Sequence, residues 1–169
     1  MMKLKSVLVA VGALVLLAPT ASYSDPTEEE PALWRIDPDY AEGKRLLEAK
    51  DWEAAIRALS SAALRDTRNA DLQNYLGFAY RKSGQLEAAF RHYEKALALN
   101  SRHRGAHEYV GEAYLLVGNL AKAEEHLAAL ERICLLPCEE LEDLKEEIGR
   151  YKEASNRMLN TSGARQGEP

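Results

Sequence analysis

The chain has 169 residues, the length of a single domain, and its 46% hydrophobic and 29% charged residues form an ordinary globular balance. Its formal net charge is −5, so a phosphate backbone or an anionic lipid surface would repel it. Composition and charge therefore exclude wholesale disorder and argue against nucleic acid as a partner.

Residues 1–24 predict a cleavable secretory signal peptide. Lys3 and Lys5 precede the apolar run 7–18, and small residues surround Ser22 and Ser24, which is the order of a secretory leader. The run is shorter than the roughly 20 residues that span a bilayer, and a retained anchor is the alternative. Cleavage removes two lysines and leaves 20 basic against 27 acidic residues, a net charge of −7. We therefore expect a periplasmic or secreted protein with no membrane span in the mature chain.

Residues 25–36 predict a flexible linker. Its first part, through Pro31, is rich in proline and glutamate and has no large apolar residue to bury. Leu33, Trp34 and Ile36 follow, and we expect them to cover the exposed face of the first helix. A partner-binding motif is the alternative for these three residues.

Three copies of one pattern make up the segment 37–137, with boundaries near 37–69, 70–103 and 104–137. A glycine, an alanine and a larger apolar residue recur in every copy at a spacing of 34 residues. A period near 34 predicts stacked helical hairpins. The recurring positions are Gly43, Gly77 and Gly111; Ala55, Ala89 and Ala123; and Leu46, Tyr80 and Tyr114.

Helix start and stop signals divide each copy into two helices. We predict helices over 38–49 and 52–65, 70–83 and 86–99, and 104–117 and 120–133, with Asp37 and Asp51 as N-caps in the first copy. Gly84 and Gly118 suit the left-handed position that ends a helix. Lys50 stands there in the first copy, so we expect its turn to be less well formed.

A polar capping helix is predicted over 138–156, completing a domain that spans 37–156. Leu141, Leu144 and Ile148 recur at helical spacing where the first helix of a fourth copy would place its apolar face, although Lys145 replaces the recurring glycine. We expect residues 157–169 to form a disordered tail. Three hairpins leave two apolar ends thinly covered, so self-association into a homo-oligomer by end stacking is left open.

The second copy resembles the tetratricopeptide repeat (TPR), a helix-turn-helix unit of this length. The resemblance extends from Asp37 to about Ala154, although the family's proline near each repeat end is absent. It implies an all-α fold class, a right-handed α-α superhelix or solenoid of three TPR hairpins with a C-terminal capping helix, and a concave groove for peptides or partner proteins. The residues that carry it are Leu76, Gly77, Tyr80, Gly84, Ala89, Tyr93 and Ala96.

The resemblance also implies which side chains line the groove; the alternative is that they are simply solvated helix residues. Members that grip a C-terminal carboxylate use a cationic clamp, whereas the corresponding positions here carry one positive charge, at Lys44, which argues against capture of a free C-terminus. We expect the partner to be another envelope protein or peptide. The implied partner-binding residues are Tyr40, Lys44, Leu47, Asn74, Phe78, Arg81, Glu108, Glu112 and Leu115.

Cys134 and Cys138 are predicted to form a disulfide, because a cysteine pair in an exported protein is usually oxidised. The alternatives are a thiol-dependent metal or redox carrier built on the pair, and two reduced bystanders. The four histidines are expected on the surface. Because the sequence has no Gly-rich phosphate loop and no nucleophile elbow, it predicts a non-catalytic periplasmic interaction scaffold with no cofactor.

Overall fold

The computed structural model describes residues 37–164, which contain seven α-helices and no strand. The predicted leader, the linker and residues 165–169 lie outside the described residues. The all-α prediction is confirmed, and no described helix is both long and apolar enough to cross a membrane. The helices are α1 (Pro38–Glu48), α2 (Trp52–Arg65), α3 (Ala70–Lys82), α4 (Leu86–Leu99), α5 (Arg104–Leu116), α6 (Leu120–Ile133) and α7 (Glu139–Ala164).

Side-chain caps start both helices of the first hairpin, as the sequence predicts. The Asp37 carboxylate accepts hydrogen bonds from the backbone N–H groups of Asp39 and Tyr40, at 2.9 and 3.2 Å. Asp51 accepts one from the N–H of Ala54 at 3.1 Å. These caps satisfy N–H groups that have no partner inside the helix.

The turns between the helices of the three hairpins share one backbone conformation. Gly84 and Gly118 have φ angles of 81° and 76°, and Lys50 has a φ of 59°. The first turn was expected to be less well formed, and this prediction is wrong, because the Lys50 N–H donates to the Leu47 carbonyl at 3.0 Å much as Gly84 donates to Arg81 at 3.1 Å. Hairpin packing therefore imposes the left-handed conformation on a lysine, at a cost of about 1 kcal/mol.

The first two recurring glycines allow the two helices of their hairpins to approach closely. A Cβ on Gly43 would lie 2.5 Å from Cδ2 of Leu59, and one on Gly77 would lie 2.5 Å from Cδ1 of Tyr93. Leu59 and Tyr93 are fully buried. The small residue at this repeat position is therefore required by packing rather than by backbone conformation.

Helix α7 packs differently from the helices that open the second and third hairpins. Against the hairpin that precedes it, α3 packs more on α2 than on α1 and α5 packs more on α4 than on α3, whereas α7 packs more on α5 than on α6. A Cβ on Gly111 would lie 2.7 Å from Cδ2 of Leu144, which is fully buried. The third glycine thus serves the contact between α5 and α7, and α7 lies against the first helix of the last hairpin.

Helix α7 also continues to Ala164, so the predicted helix end at residue 156 and the predicted disorder of residues 157–164 are wrong. No proline or glycine interrupts residues 150–162, and most of these residues are good helix formers. Arg157 and Glu153, one turn apart, form an ion pair at 3.8 Å.

Two of the histidines expected on the surface bond to each other instead. Nε2 of His107 lies 3.1 Å from the carbonyl oxygen of Ser101, which can only accept, so this nitrogen carries the proton. Nδ1 of His107 therefore accepts the hydrogen bond from Nδ1 of His126, 2.9 Å away. Burial lowers the pKa of His126 to about 4, and both rings are neutral at pH 7.

Cys134 and Cys138 form a disulfide that links the end of α6 to the start of α7, with their Cα atoms 6.1 Å apart. Neither thiol is free to hold a metal ion in this structure. Leu135 and Leu136, inside the small loop that the bond closes, are 91% and 80% exposed.

Candidate functional site

The first helices of the three hairpins, α1, α3 and α5, together line an apolar cavity of about 260 Å³, here called the aromatic pocket. Three of the predicted groove residues, Lys44, Leu47 and Phe78, lie in its wall. Two tyrosines that were not predicted to line the groove supply further rings. The lining residues are Lys44, Leu47, Glu48, Tyr75, Phe78 and Tyr109.

The rings of the aromatic pocket hold one another in place. The centroids of Phe78 and Tyr109 are 4.9 Å apart, and those of Trp52 and Phe78 are 5.9 Å apart in a T-shaped pair. Tyr40, another predicted groove residue, contacts Tyr75 at 6.0 Å. Such ring pairs contribute beyond the area that they bury, so the pocket wall is preorganised rather than loose.

Arg81 and Glu112, both predicted to bind a partner, form a salt bridge with each other that joins α3 to α5. Nε of Arg81 also lies 3.3 Å from the hydroxyl oxygen of buried Tyr93. The Arg81 guanidinium is 5.4 Å from the ring centroids of both Phe78 and Tyr109. Both charges are therefore engaged inside the protein, and a direct role in binding stays a prediction.

A second cavity of about 300 Å³ lies beside the first, between α3, α5 and α7, and is here called the acidic pocket. It includes the predicted residues Asn74 and Glu108, and it shares both tyrosines with the aromatic pocket. Helix α7 contributes three carboxylates that were not predicted to belong to the groove. The lining residues are Asp71, Asn74, Tyr75, His103, Gly105, Glu108, Tyr109, Glu139, Glu140 and Asp143.

Two carboxylates of the acidic pocket have partners. Asp71 lies 3.0 Å from Nε2 of His103, whose other ring nitrogen caps α5, and Glu140 lies 3.4 Å from Nε of Arg104. Among the described residues, no basic side chain lies within salt-bridge distance of the remaining carboxylates.

Glu108 is the most buried of these carboxylates, with 7% of the residue exposed. Burial raises its pKa to about 8, and the neighbouring charges of Glu112, Asp143 and Glu140 act in the same direction. The Glu108 carboxyl is therefore largely protonated at pH 7.

Asn74 is also unsatisfied. It is 5% exposed, and its Oδ1 has no hydrogen-bond partner among the described residues. A buried acceptor without a donor costs about 1–3 kcal/mol. The acidic pocket therefore contains both carboxyl groups without a basic partner and an unused acceptor.

Leu115, the last predicted groove residue, is half-buried and packs against the cluster that includes Leu130 and Leu144, where α7 covers the third hairpin.

The sequence did contain signals for the residues that were missed. Tyr75 and Tyr109 stand one period apart, and Glu139 and Asp143 are four residues apart and so share one face of a helix. Only the position of α7 shows that this face borders the groove.

The comparisons with known proteins agree with the repeat architecture. Residues 70–103 match the family model described as tetratricopeptide repeat. A comparison with curated proteins finds no significant match.

Solved structures of TPR domains have a similar fold. The translocator chaperone SycD of Yersinia enterocolitica is 20% identical, with a TM-score of 0.62 over 70% of this chain and 83% of that chain. SycD in complex with a peptide of the translocator YopD is 18% identical, with a TM-score of 0.60 over 72% and 92%. The second TPR domain of human RPAP3 in complex with an HSP70 peptide is 20% identical, with a TM-score of 0.60 over 68% and 92%. At these identities, the likeness shows the fold alone.

Proposed function

Because this chain is a tetratricopeptide-repeat protein, we propose that it is a non-catalytic interaction scaffold that holds a segment of a partner protein in its concave groove. The observation that carries the proposal is the aromatic pocket, a preorganised apolar cavity on the face formed by the first helices. Two neighbours with this fold, SycD and RPAP3, were solved with peptides bound.

The chemistry of the aromatic pocket suits an apolar side chain of an extended segment. Burying apolar surface contributes roughly 25 cal/mol per Å², and the rings of Tyr75, Phe78 and Tyr109 are already held in position, so little is lost on ordering them. Lys44, which is exposed and lies 5.8 Å from the Tyr75 centroid, is available to bond to a backbone carbonyl.

We test this proposal by selecting random ten-residue peptides on the purified chain and measuring the affinity of the selected peptides. Phe78→Ala is expected to weaken binding by about tenfold or more, because it removes a ring from the pocket wall. Lys95→Ala, an exposed change on α4, is the matched control and leaves binding unchanged. Thermal unfolding of each variant checks that the fold persists. If no peptide is selected, or if both variants bind equally, the proposal fails.

We further propose that the protein works in the periplasm or is secreted. The signal-peptide pattern of residues 1–24 and the disulfide at Cys134 support this location. Fractionation of cells followed by N-terminal analysis is expected to find an exported chain that begins after Ser22 or Ser24. An intact N-terminus in the cytoplasmic fraction would contradict it.

A further inference from the structure

We propose that the acidic pocket receives an arginine side chain of the segment that occupies the groove. The partner segment would then carry an apolar residue for the aromatic pocket and an arginine for the acidic pocket. This inference rests on the proposed function and specifies the chemistry of the segment.

The first observation is an uncompensated set of carboxylates. Glu108 on α5 and Glu139 and Asp143 on α7 line the acidic pocket, and no basic side chain in residues 37–158 lies within salt-bridge distance of them. Glu108 is 7% exposed and holds a proton at pH 7, because no basic side chain within salt-bridge distance stabilises its charged form. A positive charge from outside the chain would complete this set.

The second observation is independent of charge. Asn74 lines the same pocket, is 5% exposed, and has an Oδ1 acceptor without a donor in the described part of the chain. Buried amide oxygens are almost always hydrogen-bonded, so this one is matched to an N–H group that the fold does not supply. The pocket therefore lacks a donor for Asn74 as well as a basic partner for its carboxyl groups.

A guanidinium supplies both missing features. It carries five N–H donors and a delocalised charge, and it stacks on aromatic rings. Tyr75 and Tyr109 line the acidic pocket as well as the aromatic pocket, so their rings are available for such stacking.

Binding of the arginine should also release a proton. The Glu108 carboxyl faces Glu112 on its own helix, Glu140 and Asp143 on α7, and Arg81 on α3, and its pKa is about 8 in the free protein. A guanidinium at this carboxyl lowers the pKa, because it stabilises the charged form. At pH 7 we therefore expect the release of up to one proton for each bound segment.

The experiment compares peptide selection on the wild-type chain with selection on the double variant Glu139→Gln/Asp143→Asn. On the wild type, we expect arginine to be enriched at a constant spacing from an apolar residue, and on the variant we expect only the apolar preference to remain. The control Glu94→Gln/Glu142→Gln removes two exposed acidic groups outside the pocket and should keep the arginine preference. Equal arginine enrichment on the double variant, or no basic residue in the wild-type selection, overturns the inference.

A selected peptide then tests the guanidinium directly. Replacing its arginine with citrulline, which has a similar shape and no charge, should weaken binding to the wild type by about tenfold and to the double variant by less than about twofold. Calorimetry in buffers of different ionisation enthalpy measures the proton release, which should disappear in Glu108→Gln. If peptides bind the aromatic pocket without these effects, the inference fails and the proposed function stands; if no peptide is selected, both fail.

Discussion

The two pockets differ in whether the buried ionisable side chain beside them is paired with an opposite charge. Near the aromatic pocket, the buried Arg81 is paired with Glu112 and bonded to Tyr93. In the acidic pocket, Glu108 is equally buried but has no basic partner among the described residues. Repeat packing therefore pairs the buried charge beside the aromatic pocket, whereas the buried carboxyl of the acidic pocket has no basic partner and holds a proton at pH 7. A repeated fold can thus present two different chemistries in neighbouring pockets that share Tyr75 and Tyr109.

The largest expected effect comes from removing one partner of the Arg81–Glu112 salt bridge beside the aromatic pocket. Arg81→Met should destabilise the protein by about 4 kcal/mol, because it leaves the Glu112 carboxylate with no partner where its side chain is only 18% exposed. Urea denaturation measures the loss, and Arg91→Met, an exposed change on α4, should have little effect. Adding Glu112→Leu to Arg81→Met should restore most of the stability. If the double variant is no more stable than Arg81→Met, the stranded carboxylate is not the cause.

In the acidic pocket, removing the buried carboxyl of Glu108 should instead stabilise the protein. Folding raises the pKa of Glu108 from 4.5 to about 8, so its stabilising contribution is complete below pH 4.5 and is lost as the pH rises through 8. Glu108→Gln removes this loss and should stabilise the protein by about 3 kcal/mol at pH 8 and not at pH 4. Urea denaturation at both pH values measures the gain. The control Glu142→Gln, exposed on α7, should show no such difference, and a Glu108→Gln gain that is independent of pH would contradict the explanation.

The position of α7 can be tested separately from its charges. Gly111→Ala places a Cβ 2.7 Å from the buried Leu144 and should cost about 2 kcal/mol, with faster hydrogen exchange along α7 than along α3. Gly149→Ala meets no atom within 4 Å and should instead stabilise α7 by up to about 1 kcal/mol. If Gly111→Ala leaves exchange in α7 unchanged, then close packing against α5 does not hold this wall of the acidic pocket.

The smallest expected effect lies in the turn that follows α1. Lys50→Gly should stabilise the protein by about 1 kcal/mol or less, because glycine adopts the observed φ of 59° without strain but is more flexible in the unfolded chain. Gly84→Ala, at the same turn position of the second hairpin, should destabilise it. Thermal unfolding compares the two, and destabilisation by Lys50→Gly would show that the lysine side chain contributes to the turn.

The helices of the three hairpins were largely predictable. The bounds of α2, α4 and α6 agree with the sequence prediction, and α1, α3 and α5 end one residue earlier than predicted. The capping residues and the left-handed turn positions act over a few residues, so a local pattern is enough to locate them. The end of α7 was missed because a polar helix that makes few apolar contacts resembles a solvated tail in sequence.

The groove was predictable only in part. Lys44, Leu47, Phe78, Asn74 and Glu108 line the two pockets, and their binding roles stay predictions. The pairing of Arg81 with Glu112 and the packing of Leu115 against the α7 cluster depend on side-chain directions that repeat position does not specify. The contribution of α7 could not be predicted, because its Gly111 contact replaces the regular repeat junction.

By itself, the sequence determined the 34-residue period, the face of each helix that is buried and the places where the chain turns back. These features follow from residue size, polarity and backbone freedom within one repeat. Only the tertiary structure decided that α7 lies against α5, that the carboxylates of α7 line the same pocket as Glu108, and that Oδ1 of Asn74 has no hydrogen-bond donor among the described residues. Those outcomes depend on how helices that are distant in the sequence pack together. A pattern within one repeat does not specify the distances that this packing sets.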